Sequence, residues 1–297
     1  MKVPAKIIII AAMLLHALAA TAAVPKIAPG QVKVNEAQLR QDVEFLCDSL
    51  CAGRASGSAS SVEAAGYIVR RLSSLGYDVQ GRSFRIDSAR VGHNILAGHS
   101  KTGRVILVMA YYDGLGMLDG HMYPGADSNA SGVAAALALA ERFKGRYDLV
   151  FAFLDGHNAG QSGIAAIEKE LVGRGLSLVL NLDILGCILS PVDPYWKDYL
   201  IALGADSFRN TFELANRGLQ LHLYYNYYRS SSFTDMFYRR IGDHKDFINK
   251  GIPTILFTSG ITMNTNRPAD VPETLDYDVF PRRVEFIARF IENYGRK

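Results

Sequence analysis

The stretch that decides the fold reads Pro124-Gly125-Ala126-Asp127-Ser128-Asn129-Ala130-Ser131-Gly132. This polar loop is bounded by glycines and runs directly into residues 133–143, which are rich in the strong helix formers alanine and leucine. Asn129 or Ser131 is expected to cap that helix, because each side chain carries an oxygen that can accept a free backbone N–H. Upstream, the apolar run 105–110 predicts a buried strand that stops at Tyr111. The order strand, loop, helix places Asp127 at the carboxyl edge of a sheet, where α/β proteins bind ligands.

The remainder of the chain repeats this alternation of strands and helices. Helical spacing predicts helices over 35–50, 62–75 and 279–294. Apolar or alternating runs predict strands over 79–86, 94–98, 105–111, 149–154, 176–182, 199–203, 219–225 and 252–257. The strands 94–98 and 105–111 are expected to pair through a turn at 101–103. We therefore predict an α/β three-layer sandwich, in which helices flank a mostly parallel, mixed central sheet.

Length and composition suit one large domain, which we place at residues 24–297. The chain has 297 residues, of which 49% are hydrophobic, enough for a full core. Its net charge is only +3 and the charges are dispersed, so we expect no nucleic-acid partner. Cys47, Cys51 and Cys187 are too few for a disulfide framework, and we expect them to be buried apolar residues.

The amino terminus has the features of a cleavable signal peptide, residues 1–23. Lys2 and Lys6 precede an uncharged apolar run at 7–20, and Ala20-Thr21-Ala22 fits the small-residue cleavage rule. A retained membrane anchor is the rival interpretation, but the run is shorter than the roughly 20 residues that a span requires. We therefore expect a periplasmic or secreted protein without a membrane span after cleavage.

Several short motifs occur in a defined order along the chain. They are Cys51–Arg54, Tyr111–Asp113, Pro124–Gly132, Asp155–Asn158, Asn181–Asp183, Asp243-His244 and Asn266–Asp270. In this order they resemble the motifs of the co-catalytic zinc aminopeptidases, metallopeptidase family twenty-eight. That family includes bacterial leucine aminopeptidases and glutamate carboxypeptidase, and the transferrin receptor and glutaminyl cyclases are its relatives. The resemblance implies a zinc-exopeptidase-like, phosphorylase/hydrolase-like fold and a site for two zinc ions.

Compared residue by residue, the resemblance implies a degenerate metal site. Asp127, the bridging carboxylate, and Asp183 are retained ligand positions, and Asp113 keeps the position of the acid that orients the site. Tyr111 and Asn266 stand where the family has histidines, and Ser128 stands where it has an acid. His157 stands at the position of the general-base glutamate, and Asn158 at that of a ligand glutamate. A phenol is neutral near pH 7 and amides are weak ligands, so the metal pair has lost most of its donors.

His157 is the catalytic candidate, because it stands at the general-base position of the family. It could join Asp127 and Asp183 around a single zinc and leave one position open for water. The interpretation we prefer is that His157 hydrogen-bonds to Asp127 or Asp183 and supplies the positive charge of the missing metal. His244 is expected to be structural.

The tyrosine-rich run 224–228 supplies two candidates for lining a cleft, Tyr225 and Tyr227. A half-buried strand rich in tyrosine is an equally ordinary origin of such a run.

These observations predict an exported, zinc-aminopeptidase-like protein that is a non-catalytic pseudopeptidase and binds a peptide or protein in its cleft. On this hypothesis no cofactor is expected. The alternative is an active aminopeptidase, amide hydrolase or cyclase that uses a rebuilt site with one zinc. Glutaminyl cyclases also use one zinc, but they keep the glutamate and histidine that Asn158 and Asn266 replace here. A third hypothesis is a scaffold whose surface, and not its cleft, serves in assembly.

Overall fold

An eight-stranded mixed sheet lies at the centre of the structure, a computed structural model that describes residues 32–98, 104–146, 148–190 and 192–295. In chain order the strands are β1 (Val79–Arg85), β2 (Val91–Gly98), β3 (Val105–Tyr111), β4 (Gly116–Leu118), β5 (His121–Tyr123), β6 (Leu149–Leu154), β7 (Leu176–Leu182), β8 (Tyr199–Leu203), β9 (His222–Tyr224) and β10 (Thr254–Thr258). The large sheet has the order β1-β2-β6-β3-β7-β10-β8-β9, and β4 and β5 form a separate hairpin.

The four central strands of the sheet are parallel. β6, β3, β7 and β10 pair side by side in one direction, so their carboxyl ends meet at one edge. β1 and β2 are antiparallel to their neighbours on one flank. On the other flank β8 runs antiparallel to β10, and β9 runs parallel to β8. The carboxyl ends of β8 and β9 therefore lie at the opposite edge of the sheet.

Helices cover both faces of this sheet. They are α1 (Glu36–Cys47), α2 (Ala59–Ser74), α3 (Ser131–Arg142), α4 (Ser162–Gly173), α5 (Arg209–Ala215), α6 (Ser231–Asp235), α7 (Lys245–Asn249) and α8 (Phe280–Tyr294). Helices α1, α2, α3, α5 and α8 share a core with Ile106 and Val108 of β3. Helices α4 and α7 pack with the alternate β3 residues Leu107 and Met109. Because side chains alternate across a strand, the two helical layers lie on opposite faces, which confirms the predicted three-layer fold.

Asn129 ties the start of α3 to the ends of two strands. Its Oδ1 accepts hydrogen bonds from the Gly132 amide at 3.2 Å and the Ile184 amide at 2.9 Å. Its Nδ2 donates to the carbonyls of Tyr111 and Leu182, the last residues of β3 and β7. The N-cap position of α3 is occupied by Ala130, whose side chain makes no capping hydrogen bond, so the prediction of Asn129 or Ser131 as the cap is corrected. Asn129 lies one residue earlier and holds the Gly132 amide and both strand ends in place.

Three expectations about the elements are corrected by the structure. The runs 94–98 and 105–111 do not pair, because β6 lies between β2 and β3 and hydrogen-bonds to both; the expected turn at 101–103 lies outside the described residues. The strand predicted over 219–225 shrinks to β9, because the Asn216 side chain folds residues 216–221 into a turn through both backbone groups of Leu221. Helix α1 ends at Cys47, so Leu50 leaves its apolar face and is 66% exposed. Helices α4, α5, α6 and α7 were not predicted.

Residues 32–295, where described, belong to one compact unit. No helix within the described ranges is long and apolar enough to cross a membrane. Cys47, Cys51 and Cys187 are buried free thiols, as expected. The predicted signal peptide, residues 1–23, lies outside the described residues.

Candidate functional site

The carboxyl edge of the parallel strands gathers most of the residues singled out in the sequence. Asp113 follows β3, His157 follows β6 and Asp183 follows β7 directly. Asp127 lies on the loop that enters α3, and Asn266 lies on the segment after β10. Because parallel strands end at a common edge, residues far apart in sequence come together here.

Asp127 is buried, and its two carboxylate oxygens differ in their hydrogen bonding. Its Oδ1 accepts hydrogen bonds from the amides of Gly186 at 2.7 Å and Cys187 at 3.3 Å, and from the Ser131 hydroxyl at 3.1 Å. Its Oδ2 is buried and has no hydrogen-bond partner among the described residues. Burial raises the pKa of Asp127, because the charged form has lost its hydration. The open oxygen marks a place where a proton or a cation would be favoured.

The backbone of the Asp127 loop is held by two buried charged residues that the sequence analysis quoted only as parts of motifs. Asp270 accepts hydrogen bonds from the amides of Asp127 at 2.8 Å and Ser128 at 3.1 Å. Burial and the neighbouring Asp127 raise the pKa of Asp270 to about 7. The Arg54 guanidinium donates to the carbonyls of Leu46, Tyr112, Pro124 and Gly125. A charged residue at the end of a short motif was the available signal for both roles.

Asp113 orients the loop after β6. Its carboxylate accepts hydrogen bonds from the backbone amides of His157 at 3.0 Å and Asn158 at 2.9 Å, and from the Ser56 hydroxyl at 2.6 Å. The Asn158 side-chain amide also donates to Asp113, at 3.2 Å. Asn158, which stands where the family has its ligand glutamate, is thus hydrogen-bonded to Asp113.

His157 pairs with a carboxylate that the sequence analysis did not assign to the site. Its Nδ1 lies 2.7 Å from Oδ2 of Asp243, which is 2% exposed, and its ring stacks on Tyr111 with 3.8 Å between centroids. Burial lowers the pKa of His157, but the Asp243 carboxylate, with Asp183 and Asp113 behind it, raises the pKa to about 9. The predicted partner, Asp127 or Asp183, is therefore corrected to Asp243.

The neighbouring His244 explains how Asp243 reaches this place. The imidazole of His244 is buried between the Asn181 amide of β7, at 3.0 Å, and the Tyr238 carbonyl, at 2.9 Å. Burial lowers the pKa of His244 to about 4, so the ring is neutral near pH 7. Anchored in this way, His244 holds the preceding Asp243 against the loop after β6.

Three uncharged groups at the other substituted positions bond to one another. The Tyr111 hydroxyl lies 3.3 Å from the Ser128 hydroxyl, which donates to Oδ1 of Asn266 at 3.3 Å. Burial raises the pKa of Asp183 to about 6, while the charge of His157 and a hydrogen bond from Tyr111 act in the opposite direction. The substituted side chains therefore form a connected polar network beside the two retained aspartates.

The donor set does not fit a pair of zinc ions. Zinc prefers imidazole, thiolate and carboxylate donors. At the ligand positions of the family the chain keeps the carboxylates Asp127 and Asp183, and the nearby His157 is already paired to Asp243. Within the described ranges, no three His, Cys, Asp or Glu side chains are arranged to hold a metal ion.

The two tyrosines proposed to line the cleft are placed differently. Tyr227 is 2% exposed, accepts a hydrogen bond from the Ile261 amide at 2.9 Å, and stacks on Phe237 at 4.2 Å. Through this hydrogen bond Tyr227 holds the segment after β10 in place. Tyr225 follows β9 and so lies at the opposite edge of the sheet, under the Arg209 guanidinium at 3.8 Å. The structure does not bring Tyr225 to the candidate site.

The mixed sheet, the two helical layers and the polar groups at the ends of β3, β6 and β7 define an aminopeptidase-like α/β protein. Residues 94–291, which are 198 of the 297 residues, match the model of Peptidase family M28. The chain therefore belongs to peptidase family M28, as the motifs predicted.

Comparisons with individual proteins agree with this assignment. The chain is 28% identical over 159 residues to the alkaline phosphatase isozyme conversion protein of Escherichia coli (strain K12). That match covers 44% of this chain and 46% of the relative, so the chain spans about half the length of that protein. Among solved structures, LapB from Legionella pneumophila aligns with a TM-score of 0.73 and 20% identity over 89% of this chain and 73% of its own. BSAP, a zinc aminopeptidase from Bacillus subtilis, aligns with a TM-score of 0.71 and 12% identity over 89% and 96%. At these identities the two structures establish the fold alone.

Proposed function

We propose that this chain is an exported pseudopeptidase, which keeps the peptidase fold and uses the cleft at the carboxyl edge of the sheet to bind a peptide or protein. The proposed unit is the single domain 24–297, freed from a signal peptide at 1–23. The observation that carries the proposal is the ion pair between His157 and Asp243, 2.7 Å apart and stacked on Tyr111.

The first argument is charge balance. Neighbouring buried carboxylates require a cation or a proton, because they cannot all remain charged in a poorly hydrated site. The family satisfies this need with metal ions. Here His157 lies close enough to Asp183 and Asp113 for each carboxylate to raise its pKa, which reaches about 9. A protonated imidazole at this position supplies positive charge and would repel a divalent cation.

The second argument concerns proton transfer. A general base must be unprotonated at the working pH to take a proton from the attacking water. With a pKa of about 9, His157 is predominantly protonated at neutral pH and is a poor base. Asn158 cannot accept a proton either, and its amide is bonded to Asp113. Neither residue at the two glutamate positions of the family is therefore suited to activate water near pH 7.

The mouth of the site remains suited to recognising a peptide backbone. His157 is partly exposed, and Asn158 and Asn266 are exposed. Amide side chains both donate and accept hydrogen bonds, which complements the carbonyls and N–H groups of an extended peptide. Such hydrogen bonds favour the binding of a peptide and do not require that the peptide be cleaved.

The second candidate is a working hydrolase or cyclase with one zinc held by Asp127, Asp183 and His157. The open, buried Oδ2 of Asp127 favours it, because this oxygen could accept a cation. The hypothesis requires His157 to lose its proton and turn a nitrogen toward the metal.

The test compares the mature protein with a variant that restores the family residues at the five substituted positions. This variant carries Tyr111→His, Ser128→Asp, His157→Glu, Asn158→Glu and Asn266→His. After zinc loading and dialysis, the restored protein should keep about two zinc ions, and the same variant with Asp127→Asn is its matched control. The mature protein should release no N-terminal residues from peptides with or without zinc. Zinc-dependent release that is lost in His157→Ala would instead establish the second candidate.

Export is tested separately from activity. Expression of the full chain in a bacterial host, followed by amino-terminal sequencing of the periplasmic and secreted fractions, should give a mature protein that begins near residue 23 or 24. An intact amino terminus in a cytoplasmic fraction would contradict the proposal.

A further inference from the structure

A second concave surface lies at the opposite edge of the sheet from the candidate site. This groove, which we call the β9 groove, has a volume of about 640 Å³ and is lined by Gly204 after β8, by Tyr225 and Asn226 after β9, and by Tyr238 after α6. The Tyr238 hydroxyl donates to the carbonyl of Thr254, at the start of β10, at 2.8 Å.

The groove is built from fixed side chains. Gly204 has a φ of +82°, and a Cβ there would collide with the Tyr238 hydroxyl, so the glycine permits the close approach of this ring. The Tyr225 ring is held by the guanidinium of Arg209 at 3.8 Å, and Arg209 is in turn paired with Asp206 at 2.6 Å. Two tyrosine rings therefore stand in defined positions around the groove.

Positive charge exceeds negative charge around the β9 groove. Two arginines and two aspartates line it, Arg229, Arg239, Asp206 and Asp235, and three further charged residues adjoin the lining: Arg209, Arg240 and Glu213. Both aspartates already form ion pairs, Asp206 with Arg209 and Asp235 with Arg239 and Arg240. Arg229 is exposed and, among the described residues, has no carboxylate within 4.0 Å. The groove is thus complementary to an anionic group.

The backbone beside the groove places Arg229 at its rim. Tyr228 and Arg229 have φ values of +50° and +58°, a conformation that costs energy for residues other than glycine. The Arg229 amide donates to Oδ1 of Asn226 at 3.0 Å, and the Tyr227 amide donates to the Thr234 hydroxyl at 2.7 Å. These hydrogen bonds hold the backbone of the turn, so that Arg229 starts from a defined point at the rim of the groove.

β9 adds a second recognition element next to the groove. It is the last strand of the sheet and pairs with β8 alone among the described strands, so its outer backbone groups have no strand partner. An unpaired edge is a template for an extended peptide, which gains main-chain hydrogen bonds by adding as a further strand. The chain continues from β9 directly into Tyr225 and the groove.

We propose that the β9 edge and the β9 groove together form a docking site for an extended peptide segment that carries acidic side chains. Main-chain pairing with His222–Tyr224 aligns the segment, and a glutamate or aspartate of the segment reaches Arg229 and Arg239. This site is separate from the cleft at the carboxyl edge and does not depend on the function proposed for that cleft.

The test measures binding of a fluorescein-labelled octapeptide of alternating threonine and glutamate by fluorescence anisotropy at low salt. The double variant Arg229→Gln/Arg239→Gln should weaken binding by about tenfold or more, as expected for loss of charge-assisted hydrogen bonds. Arg85→Gln, which removes an exposed arginine from β1 at the far flank of the sheet, is the matched charge control and should leave binding unchanged.

Three further ligands test which feature of the acidic peptide the site recognises: its charged side chains, its main chain, or a negative charge of any kind. A threonine–glutamine octapeptide should bind at least about tenfold more weakly than the acidic one. An octapeptide with N-methyl groups on alternate residues, which cannot pair with an edge strand, should also bind more weakly. Displacement of the acidic peptide by equimolar inorganic phosphate would show a generic anion site, and equal binding of the glutamine peptide or of the arginine double variant would equally overturn the proposal.

Discussion

Replacing Asp243 by asparagine tests how the site is neutralised. The change keeps the shape of the side chain but removes the carboxylate that lies 2.7 Å from His157. Burial alone lowers the pKa of His157, so without Asp243 the pKa should fall from about 9 toward or below the ordinary value of 6.5. One pKa unit corresponds to about 1.4 kcal/mol, so the shift of the intact protein stabilises the fold by about 3 kcal/mol.

The pH dependence of that stabilisation has a defined sign. Because the pKa of His157 is higher in the folded than in the unfolded chain, the contribution is complete below about pH 6.5 and is lost as the pH rises through about 9. The free energy of unfolding should therefore fall between pH 6.5 and 9 in the intact protein, and this slope should largely vanish in Asp243→Asn.

Two measurements check these expectations. NMR titration of the His157 ring follows its pKa directly, and urea unfolding at pH 6, 7.5 and 9 follows the free energy. Asp246→Asn, a change of the same kind on the nearby helix α7, is the control and should keep both the pKa and the pH slope. A His157 pKa that stays near 9 in Asp243→Asn would show that Asp243 is not the group that keeps His157 protonated.

Other predictions concern the framework of the site and are read by urea unfolding. Asn129→Ala removes four buried hydrogen bonds between α3, β3 and β7, and should lower the free energy of unfolding by about 3 kcal/mol or more; a loss below about 1 kcal/mol would show that water replaces these bonds. Arg54→Lys keeps the charge but cannot reach the four carbonyls that the guanidinium now joins, so a loss of about 2–3 kcal/mol is expected, and an unchanged midpoint would contradict this role. Gly132→Ala places a Cβ 2.5 Å from the Leu182 carbonyl and should destabilise the protein, whereas Gly173→Ala in α4 meets no atom within 4 Å and should stabilise it by about 0.5–1 kcal/mol; equal effects of the two changes would argue against close packing at Gly132.

Local patterns were sufficient to predict where the candidate site lies. The apolar strands, the polar residues that follow them and the loop at Asp127 are each contained in a short segment, and parallel strands bring such ends together. The order of the strands was less accessible, because nothing in the sequences of β2 and β3 shows that β6 inserts between them. Which strands pair depends on the packing of all the strands of the sheet and not on the sequence of any one strand.

The electrostatics of the site could not be read from the sequence for a similar reason. His157 had several candidate carboxylates, and the structure selects Asp243, 86 residues away, because His244 anchors it against β7. Tyr225 was predicted to line the cleft together with Tyr227, which is close to it in sequence, but Tyr225 lies at the opposite edge of the sheet. The first outcome depends on the anchoring of His244, and the second on the direction in which β9 runs in the sheet.

The most direct test of the account is the zinc content of the mature protein after zinc loading and exhaustive dialysis near pH 7. We expect a zinc content close to that of the same protein with Asp127→Asn and Asp183→Asn, because His157 already supplies the positive charge beside these carboxylates. About one tightly held zinc ion in the mature protein, absent from the double variant, would contradict it and would favour the single-metal enzyme.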